Sequence, residues 1–568
     1  MEYNIAQVFS AVAAANPDRD CIVFGDRRFT YAQTDERARR FARALHRWGL
    51  GVRRERSELA PYESGQSHLG LYMANCNEFL EAMIGAYKAR VAPFNVNYRY
   101  VADELVYLLG NATADAVMYH ARFGPTLAEA LERYDRRPRL IHVDDHSGND
   151  PLPGAVHYEE LLASMSDEPL DVTPSPDDLY VLYTGGTTGM PKAVLWRQHD
   201  IYMNAMGGRA FGTGEMATSL EEIVERSRPD GPGSMTAAPL MHGAAQWAAF
   251  INLCGGRTFV MAPTTTHFDP AEVWALASRE QVVSLSIVGD AFGRPLIDEL
   301  ESGDYDLSGL LILVTGGAAL SAPIKQRFVE LLPQLAILDA GGSSESGSQM
   351  GQVSTRLQGA SGRFAPNPGA VVVSDDMTRI LSPGDDEIGW LAQQGLIPLG
   401  YLGDPEKTAR TFPVIEGIRH SVPGDRARWD ADGESSCSAA IRSPSTPAGE
   451  DLCRGGRGRD CRAPRCIRRR GDWSSQCPVG KRSRRDRPVG AGPACRPGQH
   501  HRRGRAPHRA LQASEGHCLL QSGATFAVGQ GRLPLGERSS DTKTLTRRAQ
   551  DRKRLCSRVK AVGSRHAR

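Results

Sequence analysis

Between Asp178 and Leu195 the chain reads Asp-Leu-Tyr-Val-Leu-Tyr-Thr-Gly-Gly-Thr-Thr-Gly-Met-Pro-Lys-Ala-Val-Leu. An apolar strand runs into Thr184, Gly185, Gly186, Thr187, Thr188 and Gly189, and Pro191-Lys192 leads into a second apolar strand. Glycines let backbone N–H groups turn inward round an anion, the threonine hydroxyls add donors, and Lys192 adds a point charge. That is the chemistry of a polyphosphate cradle. A Walker A loop is excluded, because it needs a Lys-Ser or Lys-Thr pair opening a helix, whereas Lys192 follows Met-Pro and precedes Ala193. Three further positions could do chemistry. Glu345, in Gly342-Ser-Ser-Glu-Ser-Gly347, is a carboxylate in a loop with nothing to pack against, so it is either solvated or a ligand. His242, in Ala238-Pro-Leu-Met-His-Gly243, taken alone could be a satisfied core histidine, and Asp425 after Pro423-Gly424 could be a plain turn residue.

The elements that must hold these residues follow from hydrophobic period. Helical spacing appears in Tyr31 to Trp48 and Glu78 to Ala89. Strand-like apolar runs appear in Ala116 to Tyr119, Leu179 to Tyr183, Thr258 to Met261, Val282 to Ile287 and Leu311 to Val314. Alternation of this kind predicts an α/β fold of parallel sheets covered by helices. After about Asp339 the pattern changes to short strands with Gly, Pro and Asp turns, in Gly369 to Val373, Glu387 to Ala392 and Arg426 to Trp429. A small β-rich, barrel-like subdomain is expected there.

The 178–195 string closely resembles the Y-T-S-G-T-T-G-x-P-K-G-V signature of the adenylate-forming superfamily, which includes acyl-CoA synthetases, luciferases and peptide-synthetase adenylation domains. Gly185 stands for the usual Ser and Ala193 for the usual Gly. Further motifs arrive in family order across residues 1–433. The His242 segment resembles the one that borders the acyl pocket, and Thr315-Gly-Gly-Ala-Ala-Leu320 resembles the adenine-side loop. The Gly342–Gly347 segment resembles the motif whose Ser or Thr touches AMP and whose acid holds Mg²⁺. Gly400-Tyr401, with Pro405, Thr408 and Phe412, resembles the G-Y-x-x-x-P-x-x-T segment, and Asp425 stands where the family's Asp grips the ribose.

The resemblance implies a large adenylating domain of two α/β subdomains plus the small β subdomain, and a ligase using ATP, Mg²⁺ and coenzyme A. A carboxylate would attack the α-phosphorus of ATP to give acyl-AMP and pyrophosphate, and the CoA thiolate would then displace AMP. It assigns Thr184, Thr188 and Lys192 to the phosphates, with Gly185, Gly186, Thr187 and Gly189 completing the loop. Gly316, Gly317 and Ala318 go to the adenine side, Ser343, Ser344 and Glu345 to AMP and the metal, and Asp425 to the ribose. His242, Gly243 and Trp196 go to the acyl substrate, although Trp196 and Arg197 read equally as a surface aromatic and its solvated neighbour. Trp196-Arg197, His242-Gly243 and Asn95-Val-Asn97-Tyr-Arg-Tyr100 look most like bacterial fatty-acid and sterol-side-chain CoA ligases, so the expected partner is a small fatty or steroid-derived carboxylic acid. A ligase that loads a carrier protein instead of CoA is the second enzyme reading.

Charge divides the chain. Its 568 residues carry +2 overall, but 1–433 hold 37 Lys and Arg against 56 Asp and Glu, and 434–568 hold 31 against 10. The sum is −19 plus +21. The second segment has only 15 Leu, Ile and Val and one Phe, with eight of the eleven cysteines, a composition that predicts disorder or irregular structure. One reading is a basic tail for nucleic acid or anionic lipid on a non-catalytic nucleotide-binding protein, carried by runs such as Arg468-Arg469-Arg470, with only Trp473 and Phe526 to stack on bases. The other is a misread frame of a GC-rich gene. With suitable synonymous codons, Ser435 to Gly449 read two bases later gives V-V-L-G-R-D-P-V-T-I-N-T-G-G. Asp451 to Asp472 read one base later gives I-C-A-E-E-V-E-A-A-I-A-A-H-P-G-V-Y-D-A-V-V. The first contains the L-G-R-x-x-x-x-I-N-x-G-G hinge motif that precedes the family's C-terminal domain, and the second resembles the helix and turn that follow it. None of Lys481, Lys543, Lys553 or Lys560 stands in a context matching that domain's adenylation lysine. An impaired ligase is therefore expected.

The length equals three or four domains' worth of chain. No run approaches a membrane span and the N-terminus lacks a basic, apolar leader pattern, so a cytoplasmic protein is expected, with room for peripheral membrane contact and no specific nucleic acid. Cys21, Cys76 and Cys254 are expected to be buried small hydrophobes.

Overall fold

Helix Tyr31–Arg47 opens on a capping box, in which the Thr30 side chain accepts from the Gln33 N–H and the Gln33 side chain accepts from the Thr30 N–H. Its apolar face joins helix Asn77–Lys88, which is buried along almost its whole length. These are the two helices read from sequence spacing, the first ending one residue earlier than read and the second shifted by one residue at both ends. The computed structural model describes residues 1–185, 190–210, 213–227, 231, 233–433 and 435–436. The basic segment expected to be irregular lies, apart from Ser435–Ser436, outside the described residues.

Two sheets carry the fold. One has eight strands in the order Gly400–Tyr401, Lys192–Arg197, Leu179–Thr184, Ala92–Asn95, His68–Tyr72, Ala116–His120, Arg139–Val143 and Val156–His157. From Leu179–Thr184 to Val156–His157 the pairings are parallel, and Lys192–Arg197 and Gly400–Tyr401 add antiparallel to one edge. Central strands such as His68–Tyr72 and Ala116–His120 are buried at every position, as unbroken apolar runs buried on both faces should be. The second sheet contains a parallel block in the order Asp20–Phe24, Phe259–Met261, Ser234–Thr236, Ser284–Ile287, Ile312–Gly316 and Ala336–Ser343. Helices Pro270–Arg279, Gly289–Leu300 and Ala322–Leu331 pack against it through Trp274, Leu296 and Phe328.

At Ala336–Ser343 the second sheet turns antiparallel through Gly347–Ser354 and continues into the short strands expected near the end of the acidic part. These include Ala370–Val373, Gly389–Gln394, Ile418–Ser421 and Arg426–Trp429. They form a small antiparallel sheet with little apolar clusters, one around Val372, Leu391 and Trp429 and another around Val373, Ala392 and Val422. Its strand path is continuous with the larger sheet, and it supplies the small β-rich subdomain that the sequence pattern predicts. Cys21, Cys76 and Cys254 are buried free thiols, as expected. Among the described residues no helix is long and apolar enough to cross a membrane.

Candidate active site

Leu179–Thr184 and Lys192–Arg197 pair antiparallel, with Thr184 opposite Lys192. The cradle is therefore the tip of a hairpin, and Thr184 and Lys192 are its two feet. The Thr184 hydroxyl donates to the Gly185 carbonyl at 3.2 Å, and Lys192 is half-buried. Gly186, Thr187, Thr188 and Gly189 lie outside the described residues.

Glu345 sits in the turn between Ala336–Ser343 and Gly347–Ser354. Both glycines of that turn are required by geometry. A Cβ on Gly342 would lie 2.0 Å from the Gly347 carbonyl oxygen, and Gly347 has φ +69°. The serines brace the turn from within, since the Glu345 N–H donates to Ser343 Oγ at 3.2 Å and the Ser343 N–H to Ser346 Oγ at 3.0 Å. Remote elements hold it from outside. Trp196 donates its indole N–H to the Ser344 carbonyl at 2.9 Å, Ser421 donates to the Glu345 carbonyl at 2.5 Å, and Asn204 bridges the Ser346 carbonyl and the Ser348 N–H. The Tyr401 hydroxyl donates to Glu345 Oε1 at 2.8 Å. Burial, reinforced by that carboxylate, pushes the Tyr401 phenol well above its usual range, so it remains a donor.

Tyr401 reaches Glu345 because Gly400–Tyr401 pairs with the cradle's second strand, Tyr401 opposite Val194 and two residues along that strand from Lys192. Helix Pro405–Thr411 follows, and Lys407 Nζ stands 4.1 Å over the Tyr401 ring. Burial and then neighbouring Lys192 bring the Lys407 ammonium down to about 8. Lys192, Glu345, Tyr401 and Lys407 thus form one charged cluster.

Gly316 ends its strand in register with Ala340, three residues before Ser343, and Gly317 takes φ +76°. The Ala318 loop is strapped to helix Gly289–Leu300, with the Ser321 N–H donating to Asp290 Oδ1 at 2.7 Å and the Gly289 N–H to Thr315 Oγ1 at 3.2 Å. These loops leave the C-terminal ends of parallel strands, where α/β sheets bind ligands. Asp425, partly exposed, lies four residues beyond Ser421 and so on the segment tied to Glu345. His242 is exposed and is not a core histidine. It precedes helix Gly243–Leu253, where a Cβ on Gly243 would meet Leu182 Cδ2 at 2.6 Å. Trp196 is fully buried and Arg197 is bonded to Glu2, Asp177 and Asp200, which corrects the surface alternative for both.

Several positioning residues went unassigned from sequence. Asn95 donates to the Tyr183 and Met241 carbonyls at 2.8 and 2.6 Å, Asn75 accepts from the Leu240 N–H at 2.7 Å, and Gln246 donates to the Leu240 carbonyl at 2.7 Å. Three amide side chains thus fix the His242 loop, Asn95 from the strand beside the hairpin, Asn75 from the loop after His68–Tyr72 and Gln246 from the helix that follows. Tyr401 stood inside a quoted motif, but Ser421, Asn204 and Lys407 carry no local signal.

One Mg²⁺ held by a single carboxylate and substrate phosphates fits this donor set, because Tyr401 occupies only one of the Glu345 oxygens. Among the described residues no group of three or more His, Cys, Asp and Glu forms a protein-only metal site. A separate cavity of about 460 Å³, lined by Arg37, His142, His157 and Glu159 among others, shares no residue with this cluster.

Comparison with known proteins agrees with the geometry. The family model described as AMP-binding enzyme matches residues 9–395. The medium-chain acyl-CoA ligase Mig of Mycobacterium avium is 52% identical over 433 residues, covering 76% of this chain and 78% of that protein. A 3-oxocholest-4-en-26-oate–CoA ligase of Rhodococcus rhodochrous is 36% identical over 445 residues, covering 76% and 77%. Among solved structures, an anthranilate CoA ligase in complex with anthranoyl-AMP superposes with a TM-score of 0.63 at 19% identity, covering 76% of this chain and 77% of that one. A putative long-chain-fatty-acid CoA ligase from Rhodopseudomonas palustris gives 0.62 at 20% identity, covering 77% and 99%. With a family match over most of its length, relatives this similar and a carboxylate held against a lysine-footed hairpin, the chain belongs to the AMP-binding enzyme family.

Proposed function

We propose that this AMP-forming acyl-CoA ligase activates a medium-chain fatty acid or a steroid-derived carboxylic acid, through acyl-AMP, to its CoA thioester. The observation that carries this reading is Glu345, in a turn gripped by Trp196 at the Ser344 carbonyl and by Ser421 at its own, with its carboxylate bonded to Tyr401, which pairs with the strand that begins at Lys192. In the first half-reaction a carboxylate oxygen forms a bond to the α-phosphorus of ATP while the bond to pyrophosphate breaks. Charge builds on phosphate oxygens, so fixed cations and donors do most of the work. Thr184, Thr188 and Lys192 serve the β- and γ-phosphates, Gly316 to Ala318 the adenine, Ser343 and Ser344 the AMP phosphate side, and Asp425 the ribose. Glu345 would hold Mg²⁺, which when bound neutralises phosphate charge. In the second half-reaction the CoA thiolate attacks the acyl carbonyl and AMP leaves. His242, Gly243 and Trp196 belong to the acyl side. The names of the Mycobacterium avium and Rhodococcus rhodochrous relatives support medium-chain and steroid acids respectively. ATP–pyrophosphate exchange across straight-chain acids of graded length and a steroid side-chain acid tests the choice; exchange with amino acids alone would overturn it.

We further propose that the chain as written works weakly, because the segment after Gly433 spells the family's hinge and the helix after it only out of frame. Matches to the two named relatives cover 76% of the chain, which supports this. Sequencing the gene across codons 430 to 475 is the direct check. Restoring the frame should raise thioester formation by roughly 10²-fold or more, the scale on which single transition-state donors act. Near-normal turnover of the present chain would refute the impairment.

A further inference from the structure

Residues 1–433 use arginine for nearly all their cations and contain only four lysines: Lys88, Lys192, Lys325 and Lys407. Lys88 pairs with Asp35 and Lys325 with Asp339. The remaining two are near enough for each to feel the other's charge, with Lys407 over the ring of Tyr401, whose strand pairs with that of Lys192, and among the described residues neither forms an ion pair. Lys407 is placed at a cost. It is half-buried, it neighbours a like charge, and it lies in the first turn of its helix, where free backbone N–H groups disfavour a cation. Glu406 precedes it directly but is exposed to solvent, and the Asp404 side chain caps that helix by accepting from the Lys407 N–H at 2.9 Å. Glu345 faces the cluster, with one oxygen bonded to Tyr401. The two nearby carboxylates are both engaged, Glu345 by Tyr401 and Asp404 by its helix cap, so two neighbouring ammonium groups share no carboxylate partner of their own, an arrangement suited to a multivalent anion.

We propose that Lys407 is a second phosphate-binding cation, which with Lys192 holds the β- and γ-phosphates of ATP and then the departing pyrophosphate. The Tyr401 ring under the ammonium sets its position, with the attraction of a cation for an aromatic face. The assignment rests on the ATP-dependent reading above and adds to it a residue outside the hairpin. Its role is selective. It concerns the pyrophosphate end of the nucleotide and leaves AMP recognition to Gly316–Ala318, Ser343 and Asp425.

Calorimetric titration of the full chain with inorganic pyrophosphate plus Mg²⁺, and separately with AMP, tests this. Lys407→Gln should weaken pyrophosphate about tenfold, as loss of a charge-assisted hydrogen bond would, and leave AMP affinity within about twofold. Lys407→Arg should retain most of the pyrophosphate affinity. Lys407→Met, which keeps the apolar stem over Tyr401, guards against a packing defect and should behave as the Gln variant. Unchanged pyrophosphate affinity in both neutral variants, or equal loss of AMP and pyrophosphate, would overturn the assignment while the ATP-dependent reading stands. A wild-type chain that binds neither AMP nor pyrophosphate would overturn both.

Discussion

The Tyr401 hydroxyl and Glu345 carboxylate form the bond on which the candidate site turns, at 2.8 Å and between residues 56 apart in sequence. A hydrogen bond to a carboxylate both aims it and lowers the cost of keeping it charged in a half-buried setting. Tyr401 is nearly fully buried, so its phenol has no water to turn to. Tyr401→Phe should therefore lower ATP–pyrophosphate exchange about tenfold, for roughly 1.5 kcal/mol, and raise the Mg²⁺ concentration needed for half-maximal rate. The ring and its contact with Phe412 remain, so the melting temperature should shift by only a few degrees. An unchanged Mg²⁺ dependence would mean that Tyr401 does not orient Glu345.

At the scale of elements, the His242 loop is positioned by amide side chains from a strand, another loop and the helix that follows it. Asn95 ends a parallel strand; its Oδ1 accepts from the Tyr183 N–H at 2.8 Å, and its Nδ2 serves the Tyr183 and Met241 carbonyls. One side chain thus registers the hairpin strand and pins the loop that leads to His242. Asn95→Ala leaves three buried backbone groups short of a partner, which should cost about 2–3 kcal/mol in urea unfolding. The carboxylic acid KM should rise more than kcat falls, because the loop and not the cradle is released. A fall in kcat alone would place Asn95 with the phosphates.

Across the whole described fold, burial sets the response to acid. His120 accepts from the Ala74 N–H through Nδ1 at 3.3 Å and is buried, which brings its pKa down to about 4 against the opposing pull of Asp145. His68, His142 and His199 are also lowered, burial first among the causes. A histidine lowered on folding binds its proton more readily when unfolded. Its contribution to stability is complete above about 6.5 and is lost as pH falls toward 4. For His120 the full loss is about 3 kcal/mol. Asp178 and Asp200, pushed up to about 6 by burial, act in the opposite sense, losing stability as pH rises from their unfolded range toward 6. The informative comparison is therefore between variants. His120→Asn should flatten the decline in melting temperature between pH 6.5 and 4.5 relative to wild type, whatever its absolute stability, and parallel curves would show that His120 does not titrate there.

Much of this was written in local pattern. Tyr31–Arg47, Leu179–Thr184 and Arg426–Trp429 are visible in hydrophobic period, and the cradle's glycines, threonines and Lys192 announce an anion without any fold. Glu345 stands out in the sequence because a carboxylate among Gly and Ser has no packing role. How the short strands of the small subdomain pair was not legible, since those pairings run on into the larger sheet. Nor were the partners of Glu345 legible. Trp196, Tyr401 and Ser421 lie 148, 56 and 76 residues from the Ser344–Glu345 groups they hold. Sequence by itself determined which residues could bind phosphate and which stretches would be helix or strand, because those are properties of neighbours along the chain. Tertiary structure alone decided that Lys407 meets Lys192 and that Tyr401 reaches Glu345, because both depend on the register of Gly400–Tyr401 against Lys192–Arg197, which no local pattern encodes.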